Sequence, residues 1–310
     1  MRDAFAQEIE NLASQHKQIV LLSGDIGNHM FDSFKNKFSN RFYNVGVAES
    51  NMTGLASGLA LSGLKPFTYT ITAFNTVRCL EQIRVDIAFQ NLPVVIVGVG
   101  GGLSYANLNA THHSLEDIAV TRVLPNMTVI CPGDPMEVRA ALRSFMSFKG
   151  PIYMRLGKKG EPNVHSKIPD FTIGKAINIR SGSDACILSC GVLLSNATEA
   201  SDYLQKDGVS TAVYSFHTVK PLDVPVLKKV FENYKFVFTL EEHGLAGGFG
   251  SAISEWLTDT EHLNQVGKLT RIGTPDEFIY GSVDQELSRE HFAINTTNIH
   301  KKILSTINSR

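Results

Sequence analysis

Residues 128–157, TVICPGDPMEVRAALRSFMSFKGPIYMRLG, decide the fold. TVICPGD reads as a short apolar strand ending in turn residues, and PIYMRLG reads as another. Between them Asp134-Pro135 is a helix-start signal, because the carboxylate accepts an orphan N–H and proline suits the first helical position. Helical apolar spacing through MEVRAALRSFMS follows. Strand, helix and strand in so short a span is the repeating unit of a parallel sheet covered by helices.

The same rhythm extends both ways. Upstream come a helix over 3–15, the strand IVLLSGD (19–25), a short helix in FDSFKNKF (31–38) and the strand RFYNVGV (41–47). Residues 49–63, ESNMTGLASGLALSG, alternate small and apolar residues at helical spacing, which predicts a helix packed close to a neighbour. After Lys65-Pro66 a strand, a long helix over 74–90 and the buried strand PVVIVGVGGG (93–102) are predicted. Residues 103–117 are polar, rich in Asn and His, and have the character of a functional loop.

Downstream, periodicity fades from residue 158, and 161–180 is taken as a linker. A second α/β unit then runs through ACILSCG (185–191), a helix over 194–206, STAVYSF (210–216), a helix over 223–233, FVFTLEE (236–242), a helix over 248–258 and KLTRIG (268–273). A chain of 310 residues exceeds one ordinary core. The expectation is α/β with two doubly wound domains, 1–160 and 181–310, without internal repeats.

Composition narrows the function. Lys plus Arg number 29 against 30 Asp plus Glu, so no general electrostatic grip on nucleic acid is expected. A near-neutral chain also suits life in an assembly. No apolar stretch is long enough to span a membrane, and the N-terminus lacks secretory character, so a cytoplasmic location is expected. The four cysteines are too scattered for a disulfide framework; Cys186 and Cys190 share one face of an apolar strand and read as core.

Two glycine clusters, at 98–102 and 247–250, lack the last glycine of a dinucleotide fingerprint, and no Walker lysine-serine pair occurs. Glu49 stands at a strand-to-helix turn, where it is either a charge favoured by the helix dipole or a chemical group. His112 and His113 precede Glu116 and Asp117; they suit proton transfer or hydroxyl recognition, while Ser114 and Asp117 could simply form a capping box. No zinc-type spacing is present.

At these segments the chain resembles the transketolase family. Val45–Met52 is similar to its V-G-[IV]-x-E stretch, and THHSLEDIAVTRVLPNM (111–127) to T-H-[HQ]-x-x-E-D-x-x-x-x-R-x-x-P-[NG]-M. TVICPGDP, GPIYMR, Lys220-Pro221-Leu222-Asp223 and Glu241-Glu242-His243 with Gly247–Ala252 continue the likeness in order. The resemblance covers essentially the whole chain. It implies a pyrimidine-binding domain followed by the transketolase C-terminal domain.

The family's first domain, marked by G-D-G and a later Asn, has no counterpart here; Ser23-Gly24-Asp25-Ile26 lacks the second glycine. The resemblance therefore implies a separate N-terminal subunit that supplies the diphosphate site with its Mg²⁺ or Ca²⁺ ligands, in an α2β2 heterotetramer. It implies thiamine diphosphate as cofactor, with Glu49 on the aminopyrimidine ring and Phe74 and Asp25 beside it. His112 is implied as a second catalytic group touching the donor's hydroxyls, and Arg155 and Arg2 as holders of a sugar phosphate. The implied activity is transfer of a two-carbon ketol unit from a ketose to an aldehyde.

Three departures fall in the sugar site. Leu108 replaces an aspartate, Gly100 a phosphate-binding histidine, and His29 a serine. Asn107 and Asn109 could read hydroxyls on a different sugar. The competing readings are a β subunit of a 2-oxo acid decarboxylating dehydrogenase, a deoxyxylulose-phosphate synthase, and a regulatory subunit without catalysis.

Overall fold

Short β-branched runs bounded by glycine and asparagine form twelve strands in the computed structural model, which describes residues 1–27, 29–259 and 266–309. They are β1 Ile19–Ser23, β2 Phe42–Asn44, β3 Lys65–Ile71, β4 Val95–Val99, β5 Thr128–Ile130, β6 Ile152–Leu156, β7 Ile177–Arg180, β8 Ala185–Cys190, β9 Thr211–Ser215, β10 Thr218–Lys220, β11 Phe236–Gly244 and β12 Lys268–Thr274. A seven-stranded sheet runs β10-β5-β6-β4-β3-β1-β2, and a five-stranded sheet runs β12-β11-β8-β9-β7. Pairings are parallel except at β10 and β7. Strands β1, β4 and β6 are buried along their whole length, as strands covered by helices on both faces must be.

The sequence signals work locally as chemistry requires. Asp134 caps the helix Pro135–Phe145 by accepting a hydrogen bond from the Glu137 N–H at 2.8 Å. The glycines at 247–250 make room for a carboxylate: Glu241 accepts the N–H groups of Phe249 and Gly250 at 2.6 and 2.8 Å. A β-carbon on Gly248 would lie 2.2 Å from Glu241 Oε2. That cluster is a helix cap, consistent with its failure as a nucleotide fingerprint.

Three expectations are corrected. The long helix over 74–90 is broken into the turn Thr72–Asn75, a 3-10 turn Val77–Cys79 and a π-helical stretch Ile83–Ala88. Asn75 causes the break, its buried amide bonding to the Val97 carbonyl at 2.8 Å and to Thr68 Oγ1 at 3.2 Å, and Thr76 leaves helical geometry at φ −126°, ψ −82°. The linker is not wholly irregular, since β7 lies within it and pairs with β9. The domain division is not clean either. β10, from the second half, adds an antiparallel edge to the first sheet, where Cys131 N–H also bonds to the His217 carbonyl at 2.7 Å.

Apolar packing joins the halves. One cluster includes Met52, Ala56, Ile83 and Ile118 from the first half and Leu188, Phe216, Val230 and Phe249 from the second. Another, under helices Arg2–Gln15 and Pro135–Phe145, holds Phe5, Phe31 and Tyr69, with Phe31 edge-on to Tyr69 at 5.0 Å. Two helices beyond the elements read from the sequence, Gln285–His291 and Thr296–Asn308, complete the second unit. Among the described residues no helix is long and apolar enough to cross a membrane.

Candidate active site

Gly46, at φ +73°, turns the chain out of the first sheet, and Glu49 opens the helix Glu49–Leu61. Its side chain is only 3% exposed. A helix-dipole charge stabilises from the surface without leaving water, so burial this complete needs another purpose. Arg78 Nη1 donates to Glu49 Oε1 at 3.1 Å. The Arg78 guanidinium lies 4.1 Å from the Phe74 ring centre, and Phe74 stands edge-on to the His112 ring at 5.1 Å. Glu49, Phe74 and His112, far apart in sequence, are thus brought into one contiguous group. Arg78 is the member that sequence reading missed, although four-residue spacing from Phe74 was visible.

The loop carrying His112 is held shut at its base. Gly102 and Ser114 exchange backbone hydrogen bonds of 2.8 and 2.9 Å. At its tip Asn109 takes φ +61°, ψ −162°, a conformation costly for any residue but glycine. Its carbonyl accepts the N–H groups of both His112 and His113, at 3.0 and 3.1 Å. The buried Oδ1 of Asn109 has no protein partner. Asn109 therefore shapes the loop through its backbone.

Thr111 fixes the His112 tautomer. Its hydroxyl donates to the Leu108 carbonyl at 2.9 Å, so it can only accept from His112 Nδ1–H at 2.7 Å, leaving Nε2 as the free acceptor. Burial, then the Arg78 charge, lowers the His112 pKa, which keeps the ring neutral near pH 7. His113 turns away, is buried against Phe278 at 5.8 Å, and contributes nothing to this group. The capping-box reading also fails, because Glu116 and not Ser114 stands at the N-cap position of the helix Asp117–Arg122, and no side chain caps it.

Arg155 does not stand where a phosphate-holding side chain must. It is 4% exposed, and its Nε donates to Asp117 Oδ2 at 2.7 Å. Nη2 donates to Asp117 Oδ1, the Ser114 carbonyl and the Glu242 carbonyl at 3.0–3.1 Å. Tyr153 Oη adds a 2.6 Å bond to Asp117. Burial, the largest single influence, would raise the Asp117 carboxyl, but the Arg155 and His243 charges and the hydrogen bonds from Arg155 and Tyr153 together hold it below its ordinary value. The arginine welds the histidine loop to the second domain.

Arg2 lies half-buried on the first helix, close enough for its charge to act on the Tyr105 phenol, and the Lys158 ammonium lies 4.4 Å from the Tyr105 ring centre. Tyr105 in turn stands 6.3 Å from His112, which links Arg2 to the same group. Tyr105 and Lys158 were not legible as site residues. Asp25 and His29 are engaged elsewhere: Asp25, exposed and at φ +56°, accepts from Asn44 at 2.9 Å, and the exposed His29 faces Asp32 at 3.5 Å. Leu108 is exposed on the loop. Among the described residues no group of three or more His, Cys, Asp and Glu could hold a metal ion.

Residues 1–162 match the family described as transketolase, pyrimidine binding domain, and residues 174–299 match transketolase, C-terminal domain. A subunit of an apulose-4-phosphate transketolase from Phocaeicola vulgatus is 32% identical, covering 99% of this chain and 97% of the relative. A 6-deoxy-6-sulfo-D-fructose transketolase subunit from Clostridium sp. is 34% identical over 90% of this chain and 85% of the relative. A solved structure of a split gene transketolase, an inactive beta4 tetramer, superposes with a TM-score of 0.90 at 30% identity, covering 99% and 98% of the two chains.

Proposed function

Because the chain belongs to the transketolase family, as its pyrimidine-binding and C-terminal domains, we propose that it is the C-terminal subunit of a split transketolase-type transferase. The reaction proposed is transfer of a two-carbon ketol unit from a ketose donor to an aldehyde acceptor. The observation that carries this reading is the buried Glu49 carboxylate, met by one arginine and flanked by an aromatic ring and a neutral histidine.

The residues fit thiamine diphosphate on their own chemistry. The buried Glu49 carboxyl group can share a hydrogen bond with a ring nitrogen, and Phe74 offers a flat apolar contact. Thiamine diphosphate, when bound, supplies the carbon that stores a two-carbon fragment between donor and acceptor. Glu49 would hydrogen-bond the ring and orient it; His112 Nε2 would accept a hydrogen bond from a sugar hydroxyl; Arg2 would face the substrate's far end. The same reading assigns Mg²⁺ or Ca²⁺ and the diphosphate to an N-terminal partner subunit, and places the complex in the cytoplasm.

Assembly as an α2β2 heterotetramer is supported by the surface. Val85, Phe89 and Val123 are exposed around a cleft of about 550 Å³, and Leu55 and Leu61 are exposed on the helix behind Glu49. Exposed apolar clusters of this kind mark interfaces. The substrate is proposed to be an anionic sugar, as the names of both relatives contain a phosphate or sulfo group. With Leu108 and Gly100 in the sugar site, ordinary xylulose and ribose phosphates should be poor substrates.

The test is reconstitution with a partner subunit carrying the G-D-G motif. Calorimetry should show tight, magnesium-dependent thiamine diphosphate binding by the mixture and only weak binding by this chain alone. Micromolar binding to the isolated chain would overturn the shared-site reading.

A further inference from the structure

The two acids of the run Glu241-Glu242-His243 divide their work. Glu241 caps a helix of its own domain, whereas Glu242, fully buried on β11, bonds across to the first domain. Its Oε1 accepts the N–H of Leu103 at 2.8 Å, the residue with which the histidine loop leaves Gly102. Leu103 is itself buried, so without this carboxylate its N–H would be an orphan donor. The helix Gln285–His291 holds the carboxylate from behind: Gln285 Nε2 donates to Oε1 at 2.9 Å, and Arg289 Nε pairs with Oε2.

The other root of the loop meets the same residue. The carbonyls of Ser114 and Glu242 both accept from Arg155 Nη2, at 3.1 and 3.0 Å. Two residues beyond Glu242, the Gly244 N–H donates to the Leu115 carbonyl at 2.8 Å. A β-carbon on Gly102, at φ +67°, would lie 2.5 Å from Glu242 Oε1 and 2.8 Å from its carbonyl oxygen. Glycine at 102 is therefore what lets the two roots close on Glu242. Apolar packing completes the attachment, since Leu103, Ala106 and Leu115 belong to one cluster with Ile187, Phe238 and Phe292. A loop clamped in this way can keep Asn109 in its costly conformation, and the Asn109 carbonyl in turn holds the N–H groups of His112 and His113.

We propose that Glu242 is a positioning residue for His112: its carboxylate anchors the start of the histidine loop and its carbonyl, through Arg155, the end. The second domain thereby sets where the imidazole stands. The inference rests on the two-carbon-transfer reading for what His112 does, and on geometry alone for how it is held. A group that reads a substrate hydroxyl needs such support, because a displacement of about 0.5 Å already spoils its hydrogen bond.

The experiment follows amide hydrogen exchange in the full chain. In Glu242→Gln the amide oxygen is drawn to the Arg289 charge, and its NH₂ turns to Leu103, donor against donor. Exchange at Leu103, His112 and His113 should rise roughly tenfold or more, while Met52 in the helix Glu49–Leu61 stays as protected as before. Adding Arg289→Met frees the oxygen for Leu103, so Glu242→Gln/Arg289→Met should return all three amides to within about threefold of wild type. Glu242→Met/Arg289→Met is equally free of buried charge but has no acceptor, and should lose the protection again. Equal protection in the two double variants, the result a structural ion pair alone predicts, overturns the proposal. So does loss of protection at Leu103 with His112 and His113 unmoved. In the reconstituted complex, two-carbon transfer from D-fructose 6-phosphate or its 6-sulfonate analogue to D-glyceraldehyde 3-phosphate should fall in Glu242→Gln, yet fall no further when His112→Ala is already present. Additive losses also overturn the proposal. If wild type uses neither donor while exchange follows the stated order, the positioning stands and the transferase reading falls.

Discussion

Glu49→Gln keeps the side chain's size and removes its acidic proton. General acid–base contributions are typically about 10²- to 10⁴-fold, or roughly 3–5 kcal/mol of barrier. Turnover should fall by that order with the complex intact, and the C2 proton of bound thiamine diphosphate should exchange more slowly; an unchanged exchange rate removes Glu49 from the chemistry. For His112 the lowered pKa sets a sign. Activity that needs a neutral Nε2 should persist below pH 6.5 and decline only as the ring protonates, whereas Thr111→Val, which releases Nδ1–H, should cost roughly tenfold without moving folding stability. A steep loss already at pH 7 would contradict the tautomer argument. Glu49, Phe74 and His112 were picked out through the family resemblance of the runs that carry them, and folding groups the three. Arg78 and Tyr105 were not, since each gains meaning only from a ring or carboxylate that folding brings alongside. Arg155 misled for the same reason: Asp117, part of the same legible motif, captures it.

The helix Glu49–Leu61 presents Met52, Ala56 and Ala60 to the core, while its Gly54 and Gly58 have only open space where a β-carbon would project. Replacing glycine in a helix interior favours the helix by up to about 1 kcal/mol. Gly58→Leu should therefore leave the isolated chain as stable as before or more so, yet abolish assembly with the partner subunit in size-exclusion chromatography. A variant that still assembles would show that this face is not the packing surface. Other elements show why pattern alone was incomplete. Apolar spacing over 74–90 is helical, but Asn75 spends its amide on neighbouring strands and breaks the run. Strands β7 and β10 have four and three residues and pair only at sheet edges, too short for alternation to announce them.

Across the whole molecule, four buried groups oppose one another. Burial pushes Glu137 and Glu241 up to about 7, and pushes His217 and His243 down to about 3 and about 4. Each raised carboxyl stabilises the fold most below its ordinary value of 4.5, and that contribution is lost as pH rises through about 7. Each depressed histidine stabilises above 6.5, and that contribution is lost as pH falls through its folded value. Glu137→Gln removes one carboxyl, so its melting temperature relative to wild type should climb as pH rises from 4.5 towards 7. A pH-independent difference between the two proteins would sink this assignment. The two-unit plan was readable from alternating elements, but the reach of one unit into the other was not. Strand β10 acts as a clasp: its covalent route to the first sheet passes through the second. A protease that nicks the segment around 161–175 should yield fragments that co-elute until denatured, and exchanging the C-terminal unit for a foreign one at that segment would strip an edge from the neighbouring sheet. Recombination at that seam is therefore disfavoured, since the first piece would leave without the edge strand β10 of its sheet.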